Sequence, residues 1–298
     1  MEKSIRVFKK QEPFDMCLIL LMLGICFVTL YPVWYTLILS FNEGSDAMLG
    51  SIYWWPRKFS LDSYRAVISN PGIVQAFGIT IARTIIGTLV SVFFTAMVGY
   101  ALSKEELAGR KYYMIIGTIT MFFSGGLIPS FLLYKNLYLY DSFWVYILPA
   151  MFNFYNMIIF ISFFRELPSA LEESAKIDGA NDFKIFIRVI IPLSAPVIAT
   201  IALFNGVYHW NDYFVGVMFI NKSSLQPIQT FLYRIVAASS TNANQMLTNM
   251  PGNITKSNVT SQSIKLATMV VTTFPIICVY PFLQKYFVKG MLLGSVKG

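Results

Sequence analysis

Long apolar runs without a single charge alternate along the chain with short charged segments. Six stand out: Met16–Asn42, Thr84–Ser103, Tyr112–Tyr134, Ser142–Phe164, Val189–Asn211 and Leu266–Gln284, each between 19 and 27 residues long. A helix needs about 20 mainly apolar residues to cross a bilayer, and buried helices of water-soluble proteins rarely come in six such lengths. The pattern predicts an all-α integral membrane protein of six transmembrane helices, at about 14–40, 75–102, 112–134, 143–164, 195–220 and 266–287. Composition agrees. Of 298 residues 56% are hydrophobic and 13% charged, with a mean hydropathy of +0.59, whereas soluble domains carry about 25% charged residues. The first run is too long for a cleavable signal peptide, and no small-residue cleavage site closes it.

The positive charges set an orientation. With the N-terminus inside, 14 Lys and Arg fall on the inner side and 8 on the outer, although the outer loops are longer. Both termini are then cytoplasmic, as is the charged segment 165–193, and 221–265 is an extracytoplasmic loop. The net charge of +8 reflects this topology and predicts no nucleic-acid partner. Cys17, Cys26 and Cys278 all lie in apolar runs without metal-ligand spacing, so no metal site is predicted.

Local signals refine the spans. Trp54 and Trp55 suit an interfacial aromatic belt. Ser60 or Ser63 can cap a short helix ending before Pro71-Gly72. Ser124-Gly-Gly-Leu-Ile-Pro129 either breaks the third span or allows close helix packing there. Leu148-Pro149 and the run Asn153-Phe-Tyr-Asn156 interrupt the fourth. Sequons at Asn221, Asn253 and Asn258 match weakly and reflect a Ser/Thr/Asn-rich composition.

The segment Arg165–Arg188 holds nine charged residues between apolar neighbours. Ser169 and Glu172 have capping-box spacing, and Gly179 is a helix stop. Asn181 can cap a second helix that meets Pro192. Helix, sharp glycine turn, helix is the expectation, with the first helix lying across the cytoplasmic face. Small residues Ser174, Ala175 and Ala180 around the turn admit the close approach of another body. A solvated amphipathic loop is the plainer alternative.

This segment resembles the EAA loop of permease subunits of ABC importers: Glu-Ala-Ala, three residues, Gly, nine residues, Ile-x-Leu-Pro. Glu173, Ala175, Gly179 and Pro192 match; Ser174 stands for the first Ala, and Val189 and Ile191 for Ile and Leu. FSLDSY and HWNDYF resemble the carbohydrate-uptake, maltose-permease branch. FSGGLIPSFLLYKNLYLYDSFWVYILP and QKYFVKGMLLGSVKG are similar to a narrower branch importing oligosaccharides or polysaccharide fragments. The resemblance implies the type I importer transmembrane fold and a coupling loop at Glu173, Ser174, Ala175, Asp178, Gly179, Ala180 and Pro192. It implies a second permease subunit in a heterodimer, two cytoplasmic ATPases and an extracytoplasmic sugar-binding protein. Within membrane lipid, the pair would move an oligosaccharide by alternating access. No Gly-x-x-x-x-Gly-Lys-Ser/Thr loop occurs in the sequence, so ATP and magnesium would sit on the ATPase and this chain would bind no cofactor.

Two charges fall inside spans and therefore count as functional candidates. Arg83 and Asp212 each lie about 8 residues, hence ~12 Å, from the outer ends of the second and fifth helices, and we expect them to pair. Asn205, His209 and Asp212 share one helix face; with Asn153, Tyr155 and Asn156 they make a polar lining for a sugar path. An ion-driven secondary transporter would show paired broken helices in both halves. A membrane-embedded enzyme using His209 and Asp212 would need more converging groups. An importer permease for a non-sugar solute stays open, and no catalytic residue is assigned.

Overall fold

A computed structural model describes residues 13–238 and 259–295, with side chains placed for 14–237 and 259–278. It divides into two compact units, one from the start of the chain to Val67 plus Ile254–Val270, the other Ile68–Asn253 plus Val271 onward. Among the described residues the structure is helical, with one isolated β-bridge, Asn42–Phe59. The basic N-terminal tail (Lys3, Arg6, Lys9, Lys10) and the sequons at Asn253 and Asn258 lie outside the described residues.

In the first unit, α1 (Pro13–Ser40) is apolar all round. From Phe14 to Tyr35 its side chains are exposed, apart from the partly covered Tyr31, as befits a helix facing lipid or a protein partner. Beyond it the chain folds on itself through paired backbone bonds, Glu43 N to Lys58 O at 2.8 Å and Ser60 N to Phe41 O at 2.8 Å. Within this fold lies the short helix α2 (Gly44–Ala47). Asp46 holds the fold: its carboxylate accepts from Asn42 Nδ2 and Arg57 Nε, each at 3.0 Å. Trp54 and Trp55 pack edge-on to Tyr31 and Trp34 of α1. Ser60, rather than Ser63, accepts from Asp62 N at the start of α3 (Asp62–Ile68).

The second unit is organised on α4 (Pro71–Ser103), capped by Asn70, whose side chain accepts from Gly72 N, with Pro71 at the first helical position. Its 33 residues give a rod of ~50 Å. The expected third span is two helices, α5 (Arg110–Phe122) and α6 (Leu127–Asn136), bent by 117° at Phe123–Gly126. The expected fourth is a 3-10 turn Phe143–Tyr146 and α7 (Phe154–Arg165), separated around Pro149.

Next come α8 (Ser169–Ile177) and α9 (Asp182–Leu193), then α10 (Ala195–Asn211), bent by 84° from α9 at Ser194. The expected fifth helix is thus α10 plus a separate α11 (Phe214–Phe219). The segment expected as an outer loop contains α12 (Ile228–Ala238). The last helix, α13 (Ser261–Ser295), starts from a reciprocal cap in which Thr260 N donates to Ser263 Oγ at 3.0 Å and Ser263 N to Thr260 Oγ1 at 3.2 Å.

By length and apolarity, three described helices can cross a bilayer, or five if each bent pair is one span. Prolines and Gly-Gly break the ladder inside several of the six charge-free runs, so these are not single continuous helices. α7, 12 residues long, reaches only ~18 Å of a hydrocarbon core about 30 Å thick.

α10 lies antiparallel on α4. Arg83, Gly87 and Ser91 meet Asp212, His209 and Asn205 in register. α7 crosses α4 lower down, where a Cβ on Gly99 would come within 3.0 Å of Phe160 Cβ. Val92, Ala96, Tyr100, Phe160, Phe164, Phe186 and Ile201 form the core at these contacts.

Candidate functional site

Two places concentrate the candidate residues. The first is the loop 166–193. α8 begins after Pro168, which occupies the N-cap position without a side-chain bond. Ser169 is the first helical residue, so the expected Ser169–Glu172 capping box does not form: with Pro168 fixing the entry, no hydroxyl is placed to receive Glu172's amide. Glu172 turns instead towards the end of α4, pairing with Lys104 Nζ and accepting from Tyr100 OH at 3.3 Å.

α8 stops at Gly179, whose φ of +78° is left-handed backbone that costs a residue with a Cβ about 1–2 kcal/mol. Ala180 N donates to Ala175 O and Gly179 N to Lys176 O, both at 3.0 Å, the two bonds of a Schellman closure. Asn181 then caps α9 by accepting from Lys184 N at 2.9 Å. Ahead of Pro192, Phe186–Ile190 forms a wide π-helical turn. Pro192 has no N–H to return to the Arg188 carbonyl, and the ladder expands there.

The faces of α8 divide the motif. Ala175 and Ala180 pack inward, half-buried against the core of Tyr100, Phe164, Ile185 and Phe186. We expected both to admit another body; their smallness instead lets α8 sit close on its own chain. Ala170, Glu173, Ser174 and Ile177 are exposed, and a spacing of three, four and seven puts them in one stripe. Ile177 is 86% exposed, and Asp178 and Gly179 continue the exposed surface.

The second place is a cavity of about 370 Å³ lined by Ser124, Gly126, Ser130, Tyr134, Tyr146, Tyr208, His209 and Asp212, with apolar side chains between. Asp212 ends α10, where its N–H donates to Tyr208 O at 3.0 Å. Its carboxylate accepts from Val215 N at 3.2 Å, which caps α11, and from Arg83 Nη1 at 3.0 Å. Arg83 Nη2 also donates to the Asp212 carbonyl. A fully buried guanidinium thus holds the C-terminal end of α10, where a cation is favoured, and sits 5.0 Å from the centre of the Tyr146 ring.

His209, 2% exposed, packs against Gly87 of α4, and its Nε2 has no hydrogen-bond partner. A Cβ at position 87 would come within 2.6 Å of the His209 Cε1, so glycine is required by that contact.

Not every residue expected on a polar path reaches the cavity. Asn205 is buried against α4, where its Oδ1 accepts from Ser91 Oγ at 3.0 Å and its Nδ2 donates to Ile201 O at 2.9 Å. The Asn205–His209–Asp212 face is one face, but it looks at α4. Asn153 caps α7 by accepting from Asn156 N at 2.9 Å; Asn156 is buried and Tyr155 exposed, and none of the three lines this cavity. Sequence reasoning missed Tyr100, Lys104, Ser91, Gly87 and Tyr146. The charge-free runs hid the first two at a span's edge, and nothing local marks the others.

Comparison with known proteins decides the family. Residues 106–293, which include the loop and all the residues that line the cavity, match the binding-protein-dependent transport system inner membrane component family. The chain belongs to this family. It is 42% identical to Protein LplC of Bacillus subtilis over 97% of both chains. It is equally 42% identical to the polygalacturonan/rhamnogalacturonan transport system permease protein YtcP of the same organism, over 97% of this chain and 100% of that one. Among solved structures it superposes with a TM-score of 0.83 and 28% identity on a chain of a bacterial ABC transporter involved in the import of the acidic polysaccharide alginate, covering 95% of this chain and all of the other. The fold is therefore that of an ABC importer permease, and the protein is an inner-membrane transport component.

Proposed function

We propose that this chain is the translocation subunit of an ATP-driven importer of oligosaccharides or polysaccharide fragments, working by alternating access with six spans and both termini cytoplasmic. The observation that carries the reading is α8 on its Gly179 turn. A rigidly seated helix presents Ala170, Glu173, Ser174 and Ile177 outward, a short ridge suited to a groove on another protein. In this reading the ridge docks into a cytoplasmic ATPase that holds ATP and magnesium, with Glu173 meeting a basic residue there. A second permease subunit, a second ATPase and an extracytoplasmic binding protein complete the assembly. The names of the relatives support a saccharide cargo. Of the residues considered for the path, Asp212 and the largely buried His209 belong to the cavity lining in this reading, whereas Asn205 bonds to α4 and Asn153 caps α7.

The test is reconstitution of the co-purified complex in proteoliposomes. ATP hydrolysis and uptake would be measured with galacturonate oligosaccharides, alginate oligosaccharides and a neutral maltooligosaccharide as separate probes, each with its binding protein. Uptake that depends on ATP and on one saccharide class is expected. Purification without an ATPase, or uptake that persists without ATP, would sink the proposal.

A further inference from the structure

The two adjacent glutamates of α8 face different ways, and they do different jobs. Glu173 is exposed. The Glu172 side chain is 16% exposed and the Lys104 side chain 33%, and the two form an ion pair at the point where α4 ends. Glu172 also accepts from Tyr100 OH at 3.3 Å. Lys104 Nζ lies 4.6 Å from the centre of the Tyr100 ring, and Tyr100 stacks on Phe186 of α9 at 5.5 Å. An isolated surface pair contributes little. This one is half-buried, has a second donor, and rests on the aromatic core that joins α4, α7 and α9.

From Tyr100, α4 runs 17 residues back to Arg83, ~26 Å along one helix. On the way it touches α10 at Ser91–Asn205 and Gly87–His209 before gripping Asp212 at the cavity. A displacement of α8 held by Glu172 therefore acts on the helix that carries the Arg83 grip.

We propose that Glu172, with Lys104 and Tyr100 as its receivers, is the positioning residue that transmits movement of α8 to α4 and so to the cavity. It acts inside the chain, behind the docking ridge. The inference rests on the transport reading above, and the experiment separates the two.

The complex would be assembled in proteoliposomes with Cys17, Cys26 and Cys278 replaced by Ala and with Ser130→Cys as a reporter at the cavity wall. Modification of that thiol by a membrane-impermeant maleimide is compared without nucleotide and after trapping with ATP and vanadate. In the parent complex, trapping changes the labelling rate. Glu172→Gln should keep the ATPase subunits bound and hydrolysing ATP, while the change in labelling shrinks about tenfold, because a neutral amide still accepts from Lys104 and Tyr100 but no longer carries the charge that strengthens both bonds. Tyr100→Phe should shrink it less, and the exchange Glu172→Lys with Lys104→Glu should restore it in part, because a Lys at 172 cannot accept from Tyr100 OH. Switching at the parent level in Glu172→Gln overturns the proposal. So does loss of the ATPase subunits to the extent seen in Glu173→Lys, because Glu172 would then be part of the docking ridge. Absence of any nucleotide effect in the parent complex overturns the transport reading itself, and the transmission role with it.

Discussion

Replacing Arg83 by Met tests whether the break between α10 and α11 is held from α4. Arg83 is fully buried and makes two contacts with Asp212, to the carboxylate at 3.0 Å and to the carbonyl. Met keeps the length and apolar stem of the side chain but leaves the carboxylate inside the protein with only the Val215 N–H at 3.2 Å. Removing one partner of a buried pair costs about 3–5 kcal/mol. Asp212→Asn is milder, because the amide oxygen can still cap α11 and the Asp212 carbonyl and Tyr146 ring still receive the guanidinium. A lost charged hydrogen bond there costs about 1.5–3 kcal/mol.

The double variant strands no charge, so the sum of the single losses should exceed its loss by ~2 kcal/mol. Equilibrium unfolding in mixed detergent micelles with increasing SDS gives the three values. Exchange of the two charges should rescue only in part, because an Arg at 212 cannot accept from Val215 N and an Asp at 83 cannot donate to the 212 carbonyl. Additive losses, or a loss below about 1 kcal/mol for Arg83→Met, would refute the reasoning.

Gly87→Ala should cost about 1–3 kcal/mol by overpacking the His209 ring, and His209→Ala in the same chain should recover most of it; stability measured in the same titration decides. Gly179→Ala meets no atom within 4 Å but must hold φ +78°, so it should lose ~1–2 kcal/mol locally and reduce uptake per ATP without blocking membrane insertion. Gly179→Pro also lacks the N–H given to Lys176 O and should abolish coupling; normal uptake in both would contradict the turn's role. Asp46, outside the helices that span, has its pKa lowered by the hydrogen bond from Asn42 and by Arg57, against an opposing effect of burial. A depressed carboxylate stabilises the folded segment above its unfolded value of about 3.9, and that stabilisation is lost as pH falls through the lower folded value. Trp54 and Trp55 fluorescence should therefore report an acid transition below about pH 3.9, which Asp46→Asn should abolish; an unchanged transition in that variant would count against the assignment.

The chain announces some of this plainly and conceals the rest. Charge-free runs mark apolar length, but the residues that end a helix within them carry no charge. Gly125-Gly126 and Pro149 were visible, yet only the folded chain shows a bend of 117° opening towards a cavity. The Gly179 turn was legible because a left-handed residue leaves a local signature. The Ser-x-x-Glu pattern misled for the converse reason: it describes a local bond, and Glu172 had a non-local partner in Lys104. Helical spacing correctly grouped Asn205, His209 and Asp212 on one face. It holds no information about which neighbour that face meets, and the small residues Gly87 and Ser91 that receive it look like any others in an apolar run.

That last point bears on how α4 works. A helix that only spans a bilayer needs no order in its polar residues. α4 places Arg83, Gly87 and Ser91 along one buried stripe, opposite Asp212, His209 and Asn205, and ends in Tyr100 and Lys104 against Glu172. Each contact on the stripe is specific in shape or charge: an ion pair, a ring against a glycine, a hydroxyl against an amide. Such contacts resist sliding of α10 along α4 more than an apolar seam would, since a shift of one turn leaves a buried guanidinium and a mostly covered carboxylate unpaired. α4 and α10 should accordingly move as one body. Hinges are then expected where the ladder is already bent and no buried ion pair clamps it, at Phe123–Gly126 and at Ser194, and the first of these flanks the cavity.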